Sequence, residues 1–315
     1  MLFQTAFLFA LLPAAFAAPS HEPQSLEKRA PLIQAHGGRA LLGKYIVKFR
    51  DGYADDSTLT KAAGKHKASH VYKIAFKGFA SAFSAASLEE IRKLPEVEYV
   101  EEDAIITIAD GFNTTYQTKT DTAPRAIVSQ LNAPWNLARL SSHPPGSTTY
   151  KYDSTAGSGT CSYIVDTGII TTLAEFSGRA VFGANFANDG STTDGNGHGT
   201  SMAAIVGGTT LGVTKLTKLI AVKIFDASGS GTASALISAL NWIVTDKTTR
   251  PGCNLGSSAV IAASGSYSSA VNAAVNNLVT NGGVFTAVAA GSEGTNVGNS
   301  SPASAANACT AGATT

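Results

Sequence analysis

Charged side chains are scarce in this chain of 315 residues. Asp, Glu, Lys and Arg make up only 14% of it, against about 25% in a typical globular protein, and the net charge is +1. Nucleic acids and acidic membranes bind strongly basic surfaces, so the composition speaks against both as partners. After the amino terminus no apolar run reaches the 20 or so residues that a membrane-spanning helix requires.

Cysteine is also scarce, with three residues in the whole chain. An odd number leaves one cysteine over in a secreted protein, and no Cys/His spacing typical of a zinc site is present. The sequence therefore predicts neither a metal site nor a bound cofactor.

The first seventeen residues are apolar and close on the small-x-small pattern Ala15-Phe16-Ala17. Pro13 interrupts this run and polar residues follow at once, which is typical of a secretory signal rather than a membrane helix. We expect residues 1–17 to be a signal peptide, residues 18–42 to be a polar pro-segment, and the product to be secreted, extracellular and soluble.

The charges that are present concentrate in one segment. Of the 45 charged side chains, 21 lie between Gly43 and Gly111. The pattern there predicts strands at 44–50, 71–76, 78–84 and 97–101, a helix at 55–70, and a second helix from Ser87 with a capping box to Glu90. This βαββαβ order favours a small α+β domain of the ferredoxin-like kind at 43–109. The Thr-rich stretch 110–125, with the sequon at Asn113, is predicted to be a linker.

Residues 126–315 form the second predicted domain. Apolar strand-like runs (162–166, 218–225, 259–263 and 283–290) alternate with helix-like segments (201–206, 233–244 and 269–279). Such alternation predicts a parallel α/β sheet with helices on both faces. Functional groups of these sheets gather at the carboxyl ends of the strands.

Two residues of this domain have the setting of a catalytic pair. Asp166 ends the apolar strand, and His198 lies in the glycine-rich turn 194–200 that opens an apolar helix. A carboxylate that orients a histidine is what serine hydrolases use to make a general base. Taken singly, Asp166 is also compatible with a turn-capping acid, and His198 with a structural loop histidine.

Taken together, the ordered motifs resemble those of subtilisin-like serine proteases of the fungal proteinase K group. They are Asn132-Ala-Pro-Trp135, Tyr163-Ile-Val-Asp166-Thr-Gly168, Asp194-Gly-Asn-Gly-His198-Gly-Thr200, Val222-Lys-x-x-Asp226-x-x-Gly229-Ser-Gly231 and Ser301-Pro-Ala-Ser304. The segments Lys44-Tyr-Ile-Val-Lys48 and Val97-Glu-Tyr-Val-Glu-x-Asp103-Ala104 are similar to the inhibitory, chaperone-like propeptide of that family.

The resemblance implies a fold, an activity and a set of site residues. The fold is a subtilisin-like α/β sheet that follows a ferredoxin-like propeptide domain along the chain. The activity is that of an endopeptidase made as a zymogen. Asp166 would orient His198, and the strand 229–231 (Gly229, Ser230, Gly231) would pair with substrate. Ser264 and Gly265 would line the specificity pocket, and Ser292 would hold the oxyanion position. The resemblance further implies a Cys161–Cys253 disulfide.

The sequence also departs from the family. The nucleophilic serine of these enzymes lies in a Gly-Thr-Ser-Met-Ala-x-Pro segment beyond the strand that contains Cys309, and residues 1–315 do not reach it. The partner of Cys309 and the family's calcium-binding carboxylates would also lie beyond Thr315. Ser292 replaces an asparagine, and Ala262-Ala263-Ser264-Gly265 replaces Ser-Leu-Gly-Gly. Ser201 stands in a Gly-Thr-Ser-Met-Ala segment on the wrong helix, so we do not expect it to be the nucleophile.

Three hypotheses follow for a chain that we expect to be a C-terminally truncated, catalytically incompetent monomer. It represents part of an active endopeptidase, or a pseudoprotease that binds peptides, or an inhibitor that acts on a related protease through its propeptide-like domain. The partner is a protein or peptide substrate in the first two cases and a protease in the third.

Overall fold

The computed structural model describes residues 29–35, 39–52, 55–74, 76–109, 127–143 and 145–313. The predicted signal peptide and the predicted linker lie outside the described residues. None of the described helices is both long and apolar enough to cross a bilayer.

The described residues form sixteen strands and six α-helices. The strands are β1 (Leu32–Ile33), β2 (Ala40–Phe49), β3 (His70–Tyr72), β4 (Gly78–Ala82), β5 (Val97–Ile108), β6 (Ile127–Gln130), β7 (Tyr150–Asp153), β8 (Cys161–Asp166), β9 (Ala180–Asn185), β10 (Lys218–Lys223), β11 (Ser230–Thr232), β12 (Ser257–Ile261), β13 (Ala263–Ser266), β14 (Phe285–Ala289), β15 (Ser300–Ser301) and β16 (Cys309–Ala311). The helices are α1 (Asp56–Lys65), α2 (Ala85–Arg92), α3 (Trp135–Ser141), α4 (His198–Gly207), α5 (Ala233–Thr249) and α6 (Ser269–Thr280).

The amino-terminal unit (residues 29–109) has the predicted α+β architecture. Its four main strands lie in the antiparallel order β5-β2-β4-β3. Apolar residues of α1 and α2 pack with those of the sheet in one buried cluster, which includes Leu59, Ile91 and Phe79. The short strand β1 extends the sheet by pairing with β5 in parallel.

Several local predictions in this unit were wrong; strand β3, for example, spans His70–Tyr72 rather than 71–76. Helix α2 is capped by Ser84, whose Oγ accepts the N–H of Ser87 at 3.2 Å, so the predicted capping box from Ser87 to Glu90 does not begin the helix. Helix α1 ends at Lys65 rather than at residue 70. Strand β5 continues to Ile108 instead of ending at residue 101, because its second half pairs with strands of the other unit.

The carboxyl-terminal unit (residues 127–313) is built on a six-stranded sheet in the order β16-β14-β12-β8-β10-β9, in which all neighbours are parallel. Alternate residues of β8 face opposite sides of this sheet. Tyr163 and Val165 lie in the core that α5 and α6 cover, whereas Ile164 lies with Ala203 of α4 in the core on the other side. The predicted parallel sheet with helices on both faces is confirmed.

A disulfide ties the first residue of β8 to the loop after α5. It joins Cys161 and Cys253, which are 92 residues apart in the sequence, as the resemblance implies. Cys309 is a free, exposed cysteine on the edge strand β16.

Candidate active site

A histidine and an aspartate are in contact at the carboxyl ends of the strands of the six-stranded sheet. The imidazole Nδ1 of His198 lies 2.9 Å from both carboxylate oxygens of Asp166. The Asp166 carboxylate is buried, and it also accepts the N–H of Thr167 at 2.7 Å. Burial raises the pKa of Asp166, while the hydrogen bonds from His198 and Thr167 oppose that rise.

The close approach of helix α4 to strand β8 makes this contact possible. Gly199, the second residue of α4, lies so near the turn after β8 that a Cβ there would come 2.3 Å from the carbonyl oxygen of Gly168 and 3.0 Å from Cβ of Asp166. A residue with a side chain would therefore push the helix away. The glycine brings the imidazole of His198 within hydrogen-bond distance of Asp166.

A second buried carboxylate fixes the start of the same helix. Oδ1 of Asp194 accepts hydrogen bonds from the N–H groups of Asn196 and Gly197 and from the hydroxyl of Thr167. Its Oδ2 accepts the N–H and the hydroxyl of Thr200 at 3.0 and 2.6 Å. The Thr167 hydroxyl in turn accepts the N–H of Gly199 at 2.9 Å. Asp194 thus links the turn after Asp166 to the helix that begins with His198.

We expect Asp194→Asn to lower the free energy of unfolding by about 3 kcal/mol at pH 7, because the buried N–H and hydroxyl of Thr200 lose a charged acceptor. Burial alone would raise the pKa of Asp194, but the hydrogen bonds from Gly197, Thr200 and Asn196 bring it below its ordinary value. The carboxylate therefore stabilises the fold above about pH 4, and this contribution is lost as the pH falls through the lowered pKa.

Urea unfolding at pH 7 and at pH 3 measures this effect. The matched control is Asp153→Asn, at an exposed carboxylate that accepts two bonds from Thr155, and it should cost less than about 1 kcal/mol. Equal costs for the two variants at pH 7, or a cost of Asp194→Asn that grows on acidification, would contradict the role given to Asp194.

A buried lysine binds the backbone of the turn that follows β8. Lys223 pairs with Asp166 in the β8–β10 register, and its ammonium donates to the carbonyl oxygens of Thr167 and Phe225 at 2.7 and 2.8 Å. The carboxylate of Asp189 lies 3.1 Å from the same nitrogen. Lys223 thereby fixes the backbone that follows Asp166.

The predicted substrate strands border a cleft that the amino-terminal unit fills. Strand β5 lies between β11 and β13 and pairs with both in antiparallel fashion, so that Thr107 is opposite Ser230 on one side and Ser264 on the other. Gly231 is opposite Ile106, and the carbonyl oxygen of Gly229 accepts the N–H of Ile108. Gly265 packs against the side chain of Ile106. All five predicted substrate-binding residues thus contact the end of β5.

The predicted oxyanion position has Ser292 in place of the asparagine of the family motif. The backbone N–H of Ser292 donates to the Glu293 carboxylate at 2.9 Å. Slight burial would raise the pKa of Glu293, but hydrogen bonds from the Ser264 hydroxyl and from nearby backbone N–H groups hold it below its ordinary value. This carboxylate places a negative charge beside Ser292, the predicted oxyanion position.

Two further carboxylates bind the two units to each other. Asp103 of β5 accepts the N–H and the hydroxyl of Ser234 at 3.1 and 2.6 Å at the start of α5, and Glu101 accepts the N–H of Ala270 at 3.1 Å at the start of α6. Burial raises the pKa of Glu101 to about 7 and also raises that of Asp103. Carboxylates at helix N-termini satisfy backbone N–H groups and interact favourably with the helix dipole.

Neither acid was among the predicted site residues. Their spacing was the available signal. Glu101 and Asp103 are two residues apart on β5 and so lie on the same face of the strand, where a buried carboxylate requires a partner.

The hydroxyl of Ser201 points along its own helix. Its Oγ donates to the carbonyl oxygen of Gly197 at 3.0 Å, one turn earlier. That bond fits a surface serine in the first turn of α4, and the expectation that this segment is not the nucleophile segment stays a prediction.

Comparison with known families matches both units. The Subtilase family profile matches residues 157–315, and the profile of the Peptidase inhibitor I9 family matches residues 44–109. The chain belongs to the subtilase family. The matched ranges contain Asp166 and His198 in the first case and nearly all of the charged segment in the second.

Several subtilases are similar to this one over nearly its full length. The "Subtilisin-like serine protease AsES" of Sarocladium strictum is 43% identical over 98% of this chain and 74% of its own. "Proteinase R" of Parengyodontium album is 42% identical over 98% of this chain and 74% of its own, and the "Cuticle-degrading protease" of Metarhizium anisopliae is 43% identical over 97% and 74%. This subtilase thus spans about three quarters of the length of these relatives.

Solved structures agree with the fold. A cold-adapted subtilisin-like serine proteinase is 35% identical over 58% of this chain and 65% of its own, with a TM-score of 0.54. Fervidolysin from Fervidobacterium pennivorans, at 16% identity and a TM-score of 0.54, covers 84% of this chain and 42% of its own, and it supports the fold alone.

Proposed function

We propose that this subtilase is the secreted zymogen of a serine endopeptidase in which Asp166 is the orienting acid and His198 the general base. The contact that carries the proposal is the 2.9 Å approach of His198 Nδ1 to the buried Asp166 carboxylate. A carboxylate that accepts Nδ1–H holds the imidazole in the tautomer whose Nε2 takes the proton from a serine hydroxyl. It also stabilises the imidazolium that this transfer produces.

The substrate would be an extended segment of protein or peptide. Strands β11 and β13 leave a gap of one strand, which β5 fills with backbone pairing on both sides. Recognition by strand addition reads the main chain and is therefore compatible with many sequences. A chain bound in this gap would be held next to the Asp166–His198 pair.

The same pairing accounts for inhibition by the amino-terminal unit. Its strand β5 occupies the substrate gap, while Glu101 and Asp103 bind the N-termini of α6 and α5. A substrate cannot enter until this unit leaves. The unit would inhibit a related protease in the same way.

We further propose that a polypeptide of residues 1–315 alone is catalytically incompetent. Acyl transfer needs a hydroxyl within about 3 Å of the base and donors around the oxyanion. The Ser201 hydroxyl donates to Gly197, and the Ser292 N–H donates to Glu293. In the subtilases that this chain resembles, the serine comes from a segment beyond the one matched here.

The experiment compares two proteins. The first is residues 1–315, and the second, called the completed chain, is residues 1–315 followed by the part of Proteinase R that lies beyond the matched segment. We expect the completed chain to hydrolyse a peptide anilide after removal of the amino-terminal unit, and residues 1–315 to show no turnover. Hydrolysis by residues 1–315 that disappears in Ser201→Ala would refute the proposal.

A non-catalytic role in peptide binding is the alternative, and one observation favours it. The Glu293 carboxylate lies beside the oxyanion position and accepts the Ser292 N–H, which is unfavourable for a developing negative charge. If the completed chain binds peptides but does not hydrolyse them, even after Ser292→Asn, the pseudoprotease hypothesis holds instead.

A further inference from the structure

Helices α5 and α6 both begin at the surface of the carboxyl-terminal unit that strand β5 crosses. Each helix caps itself with a hydroxyl. Thr232 accepts the N–H of Ala235, and Ser268 accepts the N–H of Val271, in both cases at 3.1 Å. The other N–H groups of a first helical turn have no acceptor within their own helix, so they need one from elsewhere.

That second acceptor is a carboxylate at the same position of both helices. The N–H one residue before the capped one donates to β5, from Ser234 to Asp103 and from Ala270 to Glu101. A hydroxyl at each helix start donates to the same carboxylate, from Ser234 in α5 and from Ser268 in α6. Both carboxylates are only 3% exposed. The two helices thus present a pair of equivalent carboxylate sites.

These donors belong to the carboxyl-terminal unit and stay there when the amino-terminal unit leaves. The strand that supplies the carboxylates is continuous with the segment in the substrate gap, because β5 spans both parts. Asp103 lies three residues, and Glu101 five residues, before Ile106, which is opposite Gly231. An extended substrate in the gap would carry its upstream side chains past the same two helix ends, with alternate residues facing them.

We propose that the first turns of α5 and α6 form a substrate site for two carboxylates, next to the gap between β11 and β13. This acid-pair site consists of the N–H groups of Ser234 and Ala270 and the hydroxyls of Ser234 and Ser268. Its ligand is an extended segment with two acids separated by one residue, the second of them three residues before the residue opposite Gly231. Charge-assisted hydrogen bonds and the positive ends of two helix dipoles favour carboxylates over amides there. The inference rests on the proposed function and adds a substrate class to it.

A synthetic peptide with the sequence of β5, residues 97–108, tests the site. It should inhibit competitively the hydrolysis of a short peptide anilide by the completed chain at pH 7, after removal of the amino-terminal unit. Glu101→Gln with Asp103→Asn in the peptide should raise its inhibition constant about a hundredfold, because both carboxylates lose charge-assisted hydrogen bonds. Because the substitutions are in the peptide, the fold of the protein is not altered.

The matched control removes the same two charges from the opposite face of the strand. Glu98 pairs with Lys48, and Glu102 accepts the N–H of Ala35 at 3.0 Å, so both contact the amino-terminal unit rather than α5 and α6. Glu98→Gln with Glu102→Gln in the peptide should change the inhibition constant by less than about threefold. No inhibition by the parent peptide, or equal inhibition constants for the two substituted peptides, would overturn the proposal.

The protein side of the contact is tested with Ser234→Ala in the completed chain. This variant should raise the inhibition constant of the parent peptide about tenfold, because it loses the hydroxyl 2.6 Å from Asp103. For a peptide with Asp103→Asn the same variant should change the inhibition constant by less than about threefold, because the charged acceptor is already lost. An equal effect on both peptides would contradict a direct contact between Ser234 and a bound carboxylate.

Failure of the proposed function is distinguishable from failure of this site. If the completed chain does not hydrolyse the short anilide, the proposed function fails. The dissociation constants of the same labelled peptides, measured by fluorescence anisotropy with the completed chain freed of its amino-terminal unit, should still follow the same order. A loss of affinity that is no greater for the peptide with Glu101→Gln and Asp103→Asn than for the control peptide would overturn the acid-pair site whether or not the chain is an enzyme.

Discussion

His198→Ala should lower the turnover of the completed chain by about a million-fold, and Asp166→Asn by about ten-thousand-fold. In subtilisin-type enzymes the loss of the histidine removes nearly all triad catalysis, whereas loss of the acid removes only the orientation and charge stabilisation of the base. The unequal effects follow from the geometry, since Asp166 reaches the reaction only through Nδ1 of His198. Initial rates with a peptide anilide, after the amino-terminal unit has been removed, measure both.

The matched control is His143→Ala. His143 is the other histidine among residues 127–313, and it is exposed, with its carbonyl oxygen accepting a bond from Arg139. Its loss should leave turnover within about twofold. Turnover above 1% of the parent in His198→Ala would exclude His198 as the general base.

Removing the disulfide with Cys161→Ala and Cys253→Ala together should lower the free energy of unfolding by about 5 kcal/mol. Its two cysteines are 92 residues apart, and the chain-entropy model gives about 4.6 kcal/mol for a loop of this size. Both cysteines are buried in the core that α5 and α6 cover, so small cavities add to the loss. Urea unfolding of the variant and of the parent, followed by tryptophan fluorescence, measures the difference.

Cys309→Ser is the control for this experiment. Cys309 is free and exposed, so its replacement should change the free energy of unfolding by less than about 0.5 kcal/mol. Peptide mapping after alkylation should find Cys309 alone modified in the native parent. A cost below 1 kcal/mol for the double alanine variant, or a disulfide that includes Cys309, would contradict the observed pairing.

The contact between Asp166 and His198 was predictable from sequence because each residue stands at a local signal within a motif that resembles those of the family. Asp166 follows an apolar run that forms the central strand β8, and His198 follows two glycines at the start of an apolar helix. The ferredoxin-like order of the amino-terminal unit was equally local, since each strand and helix has its own periodicity. The exact start of α2 was not, because Ser84 and Ser87 are both good N-cap residues.

The contacts between the units could not be obtained from periodicity. Asp103 meets Ser234 across 131 residues, and Glu101 meets Ala270 across 169. Strand β5 runs to Ile108 because β11 and β13 supply partners that local sequence does not show. The contact of Glu293 with Ser292 could not be obtained from periodicity either, because it depends on the shape of the loop after β14.

Proton NMR of residues 1–315 with ¹⁵N-labelled histidine tests the assignment of Asp166 and His198 as acid and base most directly, because it detects the hydrogen bond between them. We expect one imidazole Nδ1–H proton, assigned to His198, to be shifted strongly downfield and protected from exchange, because it is donated to a buried carboxylate at 2.9 Å. This signal should disappear in Asp166→Ala and persist in Ser201→Ala. Absence of the signal from the parent protein, or its survival in Asp166→Ala, would contradict the assignment of these two residues as acid and base.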